Sequence, residues 1–192
     1  MIVLTLGSVG TAEGQADFYA RLGITGATNL VKDDIIEEIE VRQSLAPTLA
    51  VGVALPFTPL YRAGLEATVT SSGFHSTESA AETDLGTLRT ASIMLGLDGP
   101  VWRRVRWRAG LGVLSYWPSD ERGIFLRGGS TRFLVGAGVD YRYPVRPRWE
   151  LMVSLRYDFH RFTTDELRTR GFSGTQGVQR GSLSVGLARG QL

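Results

Sequence analysis

Three residues of one predicted strand have side chains that could carry out acyl transfer. Ser154, Asp158 and His160 have the same parity within residues 149–162, so in an extended strand they share a face. A serine, a histidine and a carboxylate can form a nucleophilic relay. Ser154 and His160 are six residues apart, however, which is about 20 Å at roughly 3.3 Å per residue. A relay would need a nucleophile from a neighbouring strand or loop. The candidates are Thr163, Thr164, Ser173 and Ser182.

The simpler interpretation is that His160 belongs to a set of polar and charged side chains that all lie on the inner face of the predicted sheet. These side chains are mainly arginines and carboxylates, and their parity places them opposite the large apolar residues. Because the planar guanidinium of Arg can pair bidentately with a carboxylate, we expect an interior network of ion pairs and hydrogen bonds. Its predicted members are Arg62, Glu66, Arg106, Arg108, Asp140, Arg142, Glu150, Arg156, Asp158, His160 and Arg180.

The elements that must position these residues are eight segments in which apolar and polar residues alternate. In residues 149–162, one face is apolar from Trp149 to Phe159 and the other is polar from Glu150 to His160. A period of two is that of a strand, whereas a helix would mix the two sets. Most segments reach the nine to eleven residues or so that a tilted membrane strand needs. The predicted strands are 17–27, 48–55, 61–71, 87–97, 105–117, 131–143, 149–162 and 179–188.

The connections between these segments alternate between short and long. The short ones all contain proline and are residues 56–60, 98–104 and 144–148. The others are longer and more polar, at residues 28–47, 72–86, 118–130 and 163–178. In an up-and-down barrel, every short turn falls at one end and every long loop at the other. Outer-membrane barrels have short periplasmic turns and longer extracellular loops. The pattern therefore predicts an all-β fold, an eight-stranded antiparallel up-and-down transmembrane β-barrel.

The depth of the aromatic residues indicates which face meets lipid. The apolar faces carry aromatic residues near both ends of the strands and Ala, Leu and Val between them. Two aromatic girdles around an aliphatic band are typical of a lipid-facing surface, whereas a soluble carrier barrel would put its apolar face inside. The predicted girdle at the short-turn end comprises Phe18, Tyr61, Trp107, Tyr141, Tyr143 and Trp149. The predicted girdle at the long-loop end comprises Trp117, Phe133, Tyr157 and Phe159.

Composition excludes several kinds of site. The 192 residues suit one domain, and no run of about 18 apolar residues predicts a transmembrane helix. The chain has no cysteine and only two histidines, His75 and His160, which are far apart. We therefore expect no thiolate chemistry, no metal site and no cofactor. The arginine-rich stretch 103–108 continues the strand alternation and contains no nucleic-acid motif, so nucleic acid is not an expected partner.

Two segments have more than one interpretation. Residues 1–16 begin apolar and end with small and polar residues. This is typical of the end of a signal peptide, and the alternative is a disordered tail before the barrel domain of residues 17–192. Residues 31–41 are rich in carboxylates. They form either a cation-binding or partner-binding loop or a solvated extension of a hairpin.

With these features the chain resembles the small eight-stranded outer-membrane β-barrel proteins, the OmpA, OmpX and OmpW-like class. The resemblance rests on strand count, girdles and loop asymmetry from about Asp17 onwards. Residues 155–174, LRYDFHRFTTDELRTRGFSG, are similar to the last hairpin of members of this class. The resemblance implies that the protein lies in a bacterial outer membrane. The implied partners are outer-membrane lipid, lipopolysaccharide and the barrel-assembly machinery. Such barrels usually end on an aromatic residue, whereas this sequence ends in Leu192, so Leu192 substitutes or the signal is degenerate.

The leading hypothesis is a monomeric outer-membrane barrel with a structural or surface-interaction role, whose lumen is plugged by the Arg/carboxylate network. Its long loops would make the contacts, because loops on a rigid scaffold carry recognition. The alternatives are a narrow permeation barrel for small solutes, a lipid-modifying enzyme and a soluble β-barrel carrier. Outer-membrane barrels that deacylate lipid A carry a Ser two residues after their His, whereas Phe162 stands there in this sequence. We therefore expect no enzymatic activity and assign no catalytic residue.

Overall fold

The computed structural model describes residues 16–33, 39–78, 81–120, 123–126, 129–169, 171 and 175–189. The strands are β1 (Asp17–Ala27), β2 (Val31–Asp33), β3 (Ile39–Gln43), β4 (Ala46–Pro56), β5 (Arg62–Glu78), β6 (Ala81–Trp102), β7 (Val105–Pro118), β8 (Ser130–Arg146), β9 (Trp149–Phe162) and β10 (Gln176–Arg189). A 3₁₀ turn (Gly123–Phe125) and a short helix α1 (Asp165–Thr169) lie in the connections. Within the described ranges, no helix is long and apolar enough to cross a membrane.

Eight of these strands close into a ring. The order is β5-β4-β1-β10-β9-β8-β7-β6, and β6 pairs back with β5. Every pairing in the ring is antiparallel. Closure pairs the backbone N–H and C=O groups of each strand with those of two neighbours, which a sheet needs in hydrocarbon. The predicted eight-stranded up-and-down barrel is confirmed.

At the long-loop end, the strands continue further than the sequence predicts. β5 and β6 pair as far as Glu78 and Ala81, so most of the predicted loop 72–86 is a hairpin. β2 and β3 lie in the predicted loop 28–47, and β3 pairs with the outer part of β5. The predicted loop 163–178 contains α1 and the first residues of β10. Where strands leave the membrane, both faces can be polar, so the period-two pattern that marks a strand is lost.

At the other end, two turns are tighter than predicted. β6 extends to Trp102, which leaves only Arg103 and Arg104 as the turn, and β8 extends to Arg146, which leaves only residues 147 and 148. Arg103 and Arg148 have positive φ angles of 44° and 68°. Tight hairpin turns require such angles, and Gly or Asn usually supplies them. An arginine in the sequence does not indicate a positive φ angle, so the sequence did not show where these two strands end.

The outer surface of the barrel is apolar. Leu22, Leu95 and Leu155 are 68%, 60% and 58% exposed, and an apolar surface of this kind on one chain is suited to lipid contact. A soluble carrier would bury these side chains, so the structure does not support that alternative. All ten predicted girdle residues lie on this face, with Trp107 and Phe159 partly exposed and the others exposed.

Several predictions concern residues outside the described ranges. These are the signal remnant or tail before Ala16, the acidic residues 34–38, Ser173 and the C-terminal residues 190–192.

Candidate functional site in the barrel lumen

At the short-turn end of the lumen, three arginines pair with three carboxylates. Arg62 donates to Asp98 at 2.6 to 3.1 Å and also to Asp17. Arg106 donates to Asp98 at 2.9 Å. Arg142 lies 3.4 Å from Asp17 and 3.2 Å from Glu150. We call this set the lower ionic group: Asp17, Arg62, Asp98, Arg106, Arg142 and Glu150.

Further into the lumen, a second group surrounds Glu66 on β5. The Glu66 carboxylate accepts hydrogen bonds from Arg21, Arg108 and Arg156, and from the Tyr19 hydroxyl at 2.8 Å. Asp140 lies 2.8 Å from Arg108, 3.6 Å from Arg21 and 2.5 Å from the Ser154 hydroxyl, which donates to it. Arg156 Nε donates to Asp158 at 2.7 Å. We call this set the central ionic group: Arg21, Glu66, Arg108, Asp140, Arg156 and Asp158.

Glycines on the inner face make room for these long side chains. A Cβ built on Gly52 would lie 2.3 Å from the Tyr19 ring, and one on Gly136 would lie 2.1 Å from the Asp158 carboxylate. The interior of an eight-stranded barrel is just wide enough for side chains to fill it. Glycine on one strand therefore allows a Tyr, or a carboxylate with its paired Arg, to extend from the next.

Beyond the central group lie Arg180 on β10 and His160 on β9, both buried. Arg180 Nη2 is 3.4 Å from the Thr70 hydroxyl and 3.2 Å from the Thr90 hydroxyl. His160 Nε2 is 2.6 Å from the Tyr116 hydroxyl. In the part of the chain that the structure describes, His160 therefore has a phenol as its side-chain partner.

The structure does not bring the suggested nucleophiles to His160. Ser182 pairs with Arg156, whereas His160 pairs with Val178, so Ser182 is displaced by four residues, about 13 Å along the strand. The Thr163 hydroxyl donates to the Thr164 carbonyl at 3.5 Å, and the Thr164 hydroxyl accepts from the Leu167 N–H at 3.2 Å. Both threonines thus bind local backbone rather than the imidazole.

The outer part of the lumen is filled by apolar side chains, which the sequence analysis missed. Phe125, from the 3₁₀ turn, is fully buried, and its ring centroid lies 5.9 Å from that of Phe74 and 5.9 Å from that of Phe162. The apolar triplet 124–126 within a polar loop was the available signal. We call the buried cluster the apolar cap; its deepest member is Met94, which reaches the central ionic group and accepts from Arg156. Its members are Leu30, Val31, Val41, Phe74, Leu85, Leu88, Met94, Leu114, Tyr116, Ile124, Phe125, Leu134, Phe162, Leu167 and Val178.

All eleven predicted lumen residues lie on the inner face, and the ionic contacts also involve three charged residues and a tyrosine that were not predicted. Asp17, Tyr19 and Arg21 have the inward parity of β1, a strand for which only the outward-facing Phe18 was predicted to have a role. Asp98 was assigned to a turn, whereas it lies in β6 and binds Arg62 and Arg106. Over the described ranges, no group of three or more His, Asp or Glu side chains is arranged to hold a metal ion.

Comparison with solved structures finds other outer-membrane barrels. Neisserial surface protein A is 14% identical over 91% of this chain and 96% of its own, with a TM-score of 0.57. The outer membrane protein AlkL, determined in DMPC bilayers, is 15% identical over 92% of this chain and 90% of its own, with a TM-score of 0.55. OprG from Pseudomonas aeruginosa is 12% identical over 92% of this chain and 96% of its own, with a TM-score of 0.53.

No protein-family model matches the sequence, and no curated protein matches it. At these identities, the structural likeness concerns the fold, which is that of the small eight-stranded outer-membrane barrels. This fold and the apolar outer surface of the ring place the protein in a bacterial outer membrane.

Proposed function

We propose that the protein is a closed outer-membrane barrel that stabilises the membrane surface or makes contacts through its long-loop end. The observation that carries this proposal is that two layers of side chains, one ionic and one apolar, fill the lumen one after the other along the barrel axis. The ionic groups occupy the short-turn and central parts, and the apolar cap occupies the outer part. A continuous water path would have to cross both.

The ionic layer spans the full width of the barrel. β5 and β9 lie opposite each other in the ring, so the ion pair between Glu66 and Arg156 crosses the lumen. Arg108 adds a second link, from Glu66 to Asp140 on β8. Opening a path here would separate buried charges from their partners. Leaving one member of a buried pair without its partner costs about 3–5 kcal/mol.

The apolar cap closes the lumen by a different mechanism. Almost all of its side chains are hydrocarbon, and the Tyr116 hydroxyl is already bonded to His160. Hydrophobic constrictions keep pores closed by excluding water. The rings of Phe74, Tyr116, Phe125 and Phe162 contact one another, with centroid distances of 5.2 to 6.3 Å. An ion that passed one layer would therefore meet a second barrier of the opposite chemistry.

The surface available for contacts is the long-loop end. A cavity of about 220 Å³ opens there between the start of β8 and α1, and its lining includes Arg132, Thr131, Asp165 and Glu166. Mixed charges and hydroxyls on a rigid rim are suited to polar partners such as lipopolysaccharide head groups. His160 is assigned no catalytic role in this proposal.

The test is conductance of the purified protein in planar bilayers, with a larger general porin in the same bilayers as the positive control. The expected result is no stable open channel at any applied voltage that the porin tolerates. A large, long-lived conductance that scales with protein concentration would overturn the closed barrel and favour the permeation alternative.

A further inference from the structure

A small polar cavity lies inside the barrel beside the central ionic group. Its volume is about 20 Å³, and it is lined by serine and threonine hydroxyls together with Arg21, Arg156, Arg180, Glu66 and Asp158. A volume of about 10–15 Å³ is enough for one water molecule. The cavity therefore suits one water-sized guest and excludes polyatomic ions such as phosphate.

The charges around this cavity do not balance. The lower ionic group contains three arginines and three carboxylates, and so does the central ionic group. Arg180 is the seventh arginine beneath the apolar cap among the described residues, and it has no carboxylate of its own. A guanidinium stays protonated in proteins, and burying a charge without a counter-charge is costly. Counted over the described residues, the interior therefore carries one excess positive charge, at Arg180.

The contacts of Arg180 do not neutralise it. Its hydrogen bonds to Thr70 and Thr90 are long, at 3.4 and 3.2 Å, and a neutral hydroxyl supplies no charge. Asp158 is opposite Arg180 in the strand pairing, but its carboxylate accepts from Arg156 at 2.7 Å. Within the described part of the chain, no carboxylate oxygen lies within 4.0 Å of the Arg180 guanidinium.

Hydrogen-bond donors are left over at the same place. Arg180 Nε, Arg21 Nε and Thr68 Oγ1 are buried and have no partner among the described residues. All three belong to residues that line the cavity. Buried polar groups are nearly always hydrogen-bonded, so these atoms need an acceptor that the described residues do not supply.

We propose that this cavity binds a small monovalent anion, with chloride as the occupant in salt solutions. A halide accepts from several donors at once, fits a space suited to a water-sized guest and neutralises the excess charge at Arg180. A water molecule would fill the space and accept hydrogen bonds, but it would leave the charge unbalanced. The proposal is independent of whether the barrel is closed.

Bromide is the probe for the occupant, because it replaces chloride and scatters X-rays anomalously. The full-length chain is refolded from urea into detergent in sodium bromide, since the cavity lies inside the ring and is best loaded as the barrel closes. The expected result in crystals of this protein is one anomalous peak within hydrogen-bond distance of Arg180. A cavity that contains water only, with no bromide peak, would overturn the proposal.

Stability in solution provides the second measurement. The midpoint of urea unfolding should rise with halide concentration relative to sodium gluconate, because a ligand that binds only the folded state stabilises it. The shift should disappear in Arg180→Gln and increase in Asp158→Asn, which adds a further net positive charge at the cavity. Arg89→Gln removes an exposed arginine on the outer face and should retain the wild-type shift.

These variants keep the test decisive if one of them folds poorly. If Arg180→Gln does not refold, Asp158→Asn and the wild-type chain still distinguish the two occupants. A halide site predicts a larger stabilisation by halide in Asp158→Asn than in the wild type, whereas a cavity that holds water predicts no stabilisation by halide in either protein. Equal halide responses in the wild type and Asp158→Asn, or no response in the wild type, would contradict an anion site.

Discussion

Glu66 is the residue on which the interior of this barrel most depends. The residue is 5% exposed, and its carboxylate accepts from three guanidiniums, on β1, β7 and β9, and from the Tyr19 hydroxyl. The guanidiniums of Arg21 and Arg108 also lie over the Tyr19 ring, at 5.2 and 5.0 Å from its centroid. One buried negative charge therefore holds together cations that would otherwise repel one another.

Glu66→Gln should destabilise the folded barrel by about 3 kcal/mol or more, because it leaves buried arginines without their counter-charge. Urea unfolding of the refolded protein in detergent micelles would measure this. Asp120→Asn is the matched control, since Asp120 is exposed and its loss should change stability by no more than about 0.5 kcal/mol. Equal effects of the two substitutions would show that the charge of Glu66 is not needed.

At the residue scale, parity alone was enough to place the charged side chains of most strands inside. It was enough for Arg62, Arg106 and Arg156, because each lies between two apolar or aromatic neighbours in the sequence. It was not enough for Asp98, because the nearby Pro100 suggested that the strand had already ended. Its place in β6 follows from the pairing of β6 with both β5 and β7.

At the scale of elements, the first and last strands meet through a close backbone contact. Gly186 on β10 pairs with Arg21 on β1, and a Cβ at Gly186 would lie 1.9 Å from the Ala20 carbonyl oxygen. A backbone atom cannot move aside as the end of a flexible side chain can. The barrel therefore needs a residue without a side chain at this point of its closing seam.

Gly186→Ala should lower the free energy of unfolding by about 1–3 kcal/mol, the usual cost of forcing an extra carbon into a filled space. Gly181→Ala is the matched control on the same strand, because nothing lies within 4 Å of its built Cβ. Unfolding titrations and the gel shift between folded and heat-denatured protein would compare them. A seam that tolerates both alanines equally would contradict the tight contact at Gly186.

The outer extensions of the strands are also decided at this scale. β5 and β6 continue as a hairpin beyond the membrane-spanning part, and β3 pairs with the outer part of β5. The hydrophobic pattern could not indicate this, because a strand with water or loops on both sides does not need to alternate. Backbone pairing with a neighbouring strand that is already formed extends these segments.

For the whole molecule, the outer surface sets the environment in which the barrel is stable. Leu155 is exposed on this surface, between Val139 on β8 and Leu183 on β10. It is six residues from Trp149 in one girdle and four from Phe159 in the other. Its position is therefore close to the middle of the apolar band.

Leu155→Arg should destabilise the protein in phospholipid bilayers by about 2–4 kcal/mol, the cost of a cationic side chain at the midplane of a barrel. Val101→Arg is the control, because Val101 is exposed at the short-turn end of β6 and the cost near an interface is about 0–1 kcal/mol. Denaturant titrations in vesicles would measure both. A similar cost at the two positions would contradict the assigned depth of the lipid-facing band.

The sequence by itself determined the strand count, the up-and-down topology, the end at which the long loops lie and the face that meets lipid. These properties depend on local patterns, namely a period of two, the spacing of turns and the depth of aromatic residues along each strand. Only the tertiary structure decided which arginine meets which carboxylate and that the outer lumen is closed by an apolar cap. The reason is distance along the chain. Glu66 and Arg156 are 90 residues apart, and Phe125 reaches Phe74 and Phe162, so their contacts exist only once the ring has closed.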